Sequence, residues 1–181
     1  MASVDKLLAA AGRGDSKAFE KLYEETKTAV FAVALSVLRD RHLAEDAMQE
    51  VYLKLLGGGA AGYANGSAKA YIAAAARNVS LNMYGRRKRE TSVDSAENAE
   101  LFGCDSGTEN LDDKVALSAA FKVVNGEELQ IVTLYNSGYK HREIAEALGL
   151  PLGTVTWKYK AALAKLKNFL EGGCKNEKKR R

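Results

Sequence analysis

The chain has 181 residues, 27 Lys and Arg against 23 Asp and Glu for a formal net charge of +4, and 46% hydrophobic residues. That much apolar side chain excludes wholesale disorder, and the length suits one domain or two small ones. No apolar run approaches the roughly 20 residues of a membrane span, and residues 1–6 lack a secretory apolar stretch, so a cytoplasmic protein with no membrane insertion is expected. The charge is unevenly placed: 14 basic and 10 acidic residues in 1–90, none and 7 in 91–113, 13 and 6 in 114–181. Two basic blocks therefore flank an acidic spacer. Cys104 and Cys174 stand far apart with no metal-ligand spacing, which favours free surface thiols over a zinc site or a disulfide framework.

Asp15 is a candidate N-cap for a first helix, along which Phe19, Leu22, Tyr23, Val30, Val33, Val37 and Leu38 recur at helical spacing to about Arg39. Asp40 is the next cap candidate, opening a second helix with Ala44, Ala47, Met48, Val51 and Leu55 on one side. The Gly-rich stretch Gly57–Gly62 breaks it. A third helix is predicted from Ser67 through Tyr71, Ile72, Val79 and Met83, stopping around Gly85 and running into the basic residues Arg86–Arg89. Residues 91–113 carry one sign of charge and little apolar periodicity, as an extended, solvated linker does. Helical patterns return at Lys114–Val124, Glu127–Asn136, His141–Leu148 and Pro151–Leu170, and a mobile basic tail is expected over 171–181. No strand-like alternation of useful length occurs. The predicted fold class is all-α: two small helical domains, 1–90 and 114–170, joined by a flexible acidic linker.

Residues 138–160 have the pattern of a helix-turn-helix. Ile144, Ala145 and Leu148 form an inward stripe, Gly149 can take the left-handed conformation of a sharp inter-helix turn, and Pro151 suits the first turn of the next helix. At about 100° per residue, Val155, Tyr159, Ala162, Leu163 and Leu166 share the packed face of that helix. Thr156, Trp157, Lys160 and Ala161 then point outward, as in a helix that reads a major groove, and Lys158 and Lys165 flank it within reach of phosphates. The competing reading buries Trp157 partly against a neighbouring helix and leaves the lysines merely solvating a surface.

On the second helix Asp46, Gln49, Glu50 and Leu53 fall at i, i+3, i+4 and i+7, an acidic and amide face of the wrong sign for DNA. Residues 44–55 resemble the polymerase-binding helix of bacterial RNA polymerase sigma factors. Residues 69–78 resemble that family's conserved region two, which melts and reads the −10 element, and 138–167 resemble its conserved region four, which reads the −35 element. Both modules in this order, with only a short linker between, are similar to the extracytoplasmic-function group, the smallest sigma factors.

The resemblance implies roles residue by residue. Asp46, Gln49, Glu50 and Leu53 match the patch that docks on the clamp of the polymerase largest subunit. Tyr71, Arg77, Asn78, Ser80, Asn82 and Arg86 match positions that meet the −10 element, with Arg77 and Asn78 preceding the loop that captures an unstacked base. Thr154, Thr156, Trp157 and Lys160 match −35 reading positions, with Lys158 for the backbone. The implied partners are promoter DNA, core RNA polymerase through that clamp and the flap of its second-largest subunit, and an anti-sigma protein. The chain departs from the family pattern where Tyr71 replaces Trp, Asn82 replaces an acid, Gly85 interrupts a basic helix, Gly57–Gly62 replace an aromatic-rich stretch and residues 123–126 replace a Leu-Pro turn.

Enzymatic chemistry is not expected. His42 and His141 are isolated, which suits surface or capping roles, and Gly57–Gly62 lack the Gly-Lys-Ser/Thr ending of a phosphate loop. The expectation is therefore no catalytic site, no metal, no cofactor and no small-molecule substrate. Two readings remain beside the sigma factor: a helix-turn-helix regulator with a helical N-terminal dimerisation or sensing domain, and an adaptor that docks on polymerase without reading DNA.

Overall fold

The computed structural model describes residues 3–58, 67–91 and 123–178. Among these residues there are seven helices and no strand: α1 (Val4–Ala11), α2 (Ser16–Leu38), α3 (Arg41–Leu56), α4 (Ala68–Thr91), α5 (Gly126–Asn136), α6 (His141–Leu148) and α7 (Leu152–Lys178). The all-α expectation holds. Most of the linker, most of the predicted helix Lys114–Val124, and Cys104 lie outside the described residues.

Local chemistry sets the helix boundaries. Asp15 accepts from the backbone N–H groups of Lys17 and Ala18 at 3.0 Å each, satisfying two donors that a helix start leaves free. α2 closes on Arg39, which takes the left-handed conformation at φ 54° while its N–H bonds the Leu35 carbonyl at 2.8 Å. Asp40 then caps α3 through Leu43 N at 3.1 Å, so the chain reverses within two residues.

Three boundaries differ from the sequence-based expectation. α1 was not anticipated: its Val4, Leu7 and Leu8 are all buried at i, i+3 and i+4, but eight residues give too little periodicity to register. α4 does not stop at Gly85 but runs to Thr91, since a single glycine costs only about 1 kcal/mol inside a helix. α7 extends to Lys178, so most of the expected mobile tail is helical.

α2 is the central post, with Leu22, Val30 and Val33 fully buried among α1, α3 and α4. Beside them Thr26 Oγ1 donates to the Leu22 carbonyl at 2.6 Å and meets Tyr52 Oη at 2.8 Å. With its one hydrogen already placed, the threonine must accept there and the phenol donate. Burial pushes the Tyr52 phenol up to about 12, keeping it a neutral donor.

The apolar interior does not end at the N-terminal helices. It continues without a break into Ile131, Leu134, Ile144 and Val155, with α5 packed on α2 and α6 on α4. A smaller cluster of Val124, Leu129, Val132 and Ala162 joins α5 to α7. Polar contacts border the α4–α6 seam: Ser67 Oγ donates to Glu143 Oε1 at 2.9 Å, and Lys69 Nζ reaches the Gly138 carbonyl at 3.3 Å while lying 5.4 Å from the centre of the Tyr139 ring.

Candidate nucleic-acid and protein interfaces

The acidic face of α3 faces outward. Its opposite side buries Ala44, Ala47, Val51, Tyr52 and Leu55, which leaves Asp46, Gln49 and Leu53 exposed and Glu50 half-buried in an ion pair with Lys54 at 2.6 Å. Leu53 is 67% exposed, and Leu56, one turn further on and not singled out from the sequence, is 56% exposed. Its i+3 spacing from Leu53 was the available signal. A helix face that leaves two leucines in water beside two carboxylates and an amide suits a protein partner, because apolar side chains in the open gain only on being covered.

Not all the −10 candidates lie on one face of α4. At about 100° per residue Tyr71, Asn78, Asn82 and Arg86 fall within one quadrant, where Asn78, Asn82 and Arg86 are exposed and Tyr71 is half-buried. Ser80 is a correction. It sits on the opposite side, fully buried, with its hydroxyl bonded to the Ala76 carbonyl at 2.8 Å, so it meets the core and presents nothing to a strand. Arg77 is half-buried and its Nε is enclosed with no hydrogen-bond partner. Further along, Arg87 reaches Asp40 at 3.5 Å and Arg89 donates to the Gly85 carbonyl at 3.2 Å, so part of the basic run braces α3 and its own helix.

The helix-turn-helix forms as its residues dictate. Gly149 closes α6 at φ +66°, and Leu150 N bonds the Ala145 carbonyl at 2.9 Å in the six-to-one pattern of a left-handed helix end. Pro151 sits just ahead of α7 and its carbonyl accepts from Val155 N at 3.1 Å. Trp157 is 66% exposed, which overturns the reading that tucks it against a neighbour. Lys160 is exposed beside it, Thr154 and Thr156 are half-buried, and the Thr156 hydroxyl bonds the Leu152 carbonyl at 3.0 Å.

Two lysines placed at phosphates by spacing alone are engaged inside the protein. Lys158 pairs with Glu127, and Lys165 holds Glu128 at 2.7 and 2.8 Å, so both clamp α7 onto α5. Glu128 also completes a reciprocal cap with Asn125, at 2.8 and 3.0 Å, which starts α5 where a Leu-Pro turn was missing. Burial pushes the Glu128 carboxyl up, but the Lys165 ammonium and the Asn125 N–H outweigh it and hold the group below its ordinary value. Leu163, expected on the packed face, is 42% exposed, because the stripe that meets α5 is only as wide as Val155, Tyr159, Ala162 and Leu166. His141 is half-buried, and its ring packs 5.0 Å from Tyr135 and 5.1 Å from Tyr159.

Among the described residues no helix is long and apolar enough to cross a membrane, and no group of three or more His, Cys, Asp or Glu could hold a metal. The Sigma-70 region 2 family matches residues 22–90. The ECF RNA polymerase sigma factor SigK of Mycobacterium tuberculosis (strain ATCC 25618 / H37Rv) is 25% identical over 183 residues, covering 93% of this chain and 94% of SigK. SigK of Mycolicibacterium vanbaalenii is 25% identical over 179 residues, with 93% and 90% covered. Among solved structures, CnrH in complex with the cytosolic domain of CnrY has the same fold at a TM-score of 0.68 and 18% identity, covering 93% of this chain and 97% of that one. The sigma factor RpoE in complex with the anti-sigma factor NepR, from Bartonella quintana, gives 0.65 at 22% identity, covering 86% and 98%. The chain therefore carries a match to sigma-70 region 2 around the α2 post and is similar along nearly its whole length to extracytoplasmic-function sigma factors.

Proposed function

We propose that this chain is a sigma factor that docks on core RNA polymerase through the exposed face of α3 and directs promoter-specific initiation by reading the −10 element with α4 and the −35 element with α7. The observation that carries the reading is a sigma-70 region 2 followed, in one chain, by a helix-turn-helix whose second helix holds Trp157 and Lys160 in solvent. The polymerase-facing set is Asp46, Gln49, Glu50 and Leu53, to which exposure adds Leu56. Tyr71, Arg77, Asn78, Asn82 and Arg86 are assigned to the −10 strand, and Thr154, Thr156, Trp157 and Lys160 to −35 bases. Residues 1–90 form the first functional domain, 91–113 the linker, 114–170 the second domain and 171–181 a basic extension.

The family consists of initiation factors rather than enzymes, and the role assigned to this chain is one of binding. RpoE is matched in its complex with an anti-sigma factor, which supports an anti-sigma partner here too. The site of action is the cytoplasm, where polymerase and promoters meet.

Run-off transcription with purified core polymerase tests the reading. Specific initiation from a cognate promoter is expected on adding the protein. Glu50→Lys should weaken core binding by reversing a charge on the docking face. Trp157→Ala with Lys160→Ala should cost about 1–3 kcal/mol of −35 discrimination per lost base contact. Tight binding to a duplex operator with no initiation at any promoter would favour the helix-turn-helix regulator instead.

A further inference from the structure

The assigned surfaces leave one basic region of the molecule without a role. Lys6 and Arg13, from α1 and the turn after it, face Lys17 and Lys21 of α2 across a cleft of about 500 Å³ floored by Leu7 and three alanines. None of the four cations makes an ion pair with another described residue. The one acid in the cleft is Asp15, whose Oδ1 is already taken by two backbone N–H groups at the start of α2. Spacing explains the convergence: Lys6 and Arg13 lie two turns apart along α1 and its exit, Lys17 and Lys21 one turn apart on α2, and the packed helices turn both rows toward one gap.

The location ties this cleft to the −10 site. Asp5, next to Lys6, accepts from Ala68 N at 2.8 Å and so caps α4 from α1. Lys6, on the lining of the cleft, is thus the sequence neighbour of the residue that touches the start of α4, the helix that carries Tyr71 and Asn78. At about 500 Å³ the cleft is too small to enclose a duplex, whose major groove alone is roughly 12 Å wide. Its lining favours backbone over bases, since the floor is aliphatic, with no aromatic ring to stack on and no side-chain amide to read an edge.

We propose that the α1–α2 cleft holds the phosphate backbone of the opened promoter strand where it leaves the −10 site. This rests on the sigma-factor reading above and adds a surface to it. Four ammonium and guanidinium groups, none of them in an ion pair among the described residues, would displace counterions from the strand and lengthen the life of the open complex in a salt-dependent way.

The test uses holoenzyme formed from core polymerase and the full chain, on a promoter the wild type opens. Open-complex stability is measured against potassium chloride for wild type, Lys17→Ala/Lys21→Ala, and Lys17→Arg/Lys21→Arg. Each lost phosphate contact should flatten the slope of log stability against log salt by about 0.7, so the alanine pair should lose about 1.4 and the arginine pair should keep the wild-type slope. Binding to core polymerase and the melting temperature should be the same for all three proteins. Identical slopes for wild type and the alanine pair overturn the proposal. A difference that vanishes once the seven acids of residues 91–113 are neutralised overturns it too, because the chain's own acidic segment is then the occupant. If the wild type initiates nowhere with core polymerase, the sigma reading itself falls, a result distinct from either.

Discussion

At the scale of single residues, helical spacing was a good guide to direction and a poor guide to company. Asp46, Gln49, Leu53 and Trp157 point outward as their periodicity requires, whereas Ser80 was assigned outward and is buried, and Lys158 and Lys165 were assigned to phosphates and hold carboxylates. The Glu128–Lys165 pair supports a pH experiment. The folded carboxyl titrates below its ordinary value, so its stabilisation is full above about pH 4.3 and is lost as pH falls through the lowered value. Lys165→Met should cost about 1–3 kcal/mol at pH 7, by leaving the buried Glu128 with only its backbone partner. Urea melts should show that gap closing as pH falls through the lowered value; an equal gap at every pH would mean the charge pair is not its cause. Gly85 offers the opposite case. A Cβ built there meets nothing within 4 Å, so Gly85→Ala should raise stability by about 0.8–1 kcal/mol. Calorimetry should register this as a melting point higher by about 2–4 °C.

Helices and their ends form the next level. Asp15 and Asp40 were identifiable as caps because each acts on its own helix, within three residues. α4 has a local cap as well, Ser67 Oγ accepting from Ala70 N at 3.4 Å, but its second acceptor, Asp5, comes from 63 residues away and was not identifiable. Asp5→Ala should destabilise the start of α4 by about 0.5–2 kcal/mol, the usual effect of removing a cap. Amide hydrogen exchange provides the measurement: protection should fall in the first turn of α4 and be unchanged in α3. Uniform loss of protection along the chain would instead assign Asp5 a general packing role. Gly85 illustrates how an element outweighs a propensity. One weak residue did not end α4, because helix formation is cooperative and its neighbours on both sides carry the ladder on to Thr91.

For the whole molecule, the packing of α6 on α4 and of α5 on α2 has a functional consequence. Elements named −10 and −35 are about 25 base pairs apart, roughly 85 Å of duplex at about 34 Å per ten pairs, and two helices in contact cannot read both at once. The proposed function therefore requires α6 to leave α4, a parting that residues 92–122, with a maximum reach of about 100 Å, are long enough to allow. Ser67→Ala with Lys69→Ala removes the polar contacts bordering that seam while sparing the bond that Lys140 N donates to Glu143 Oε2. Small-angle scattering of the full chain should give a radius of gyration near the roughly 16 Å of a compact protein this long, and a larger value for the variant. Equal values would mean that the apolar part of the seam holds it without these contacts.

The sequence by itself determined the all-helical class, the helix-turn-helix with its left-handed Gly149, the outward faces of α3 and α7, and the resemblance to sigma factors. These are properties of neighbours three, four or seven residues apart, where side-chain direction follows from backbone geometry alone. Only the tertiary structure decided that Ser80 is buried, that Lys158 and Lys165 are engaged, that α1 brings its basic side to α2 and its Asp5 to α4, and that the two groups of helices share one core. Each of those depends on groups distant in sequence meeting in space, and helical periodicity specifies which way a side chain faces without specifying what it faces.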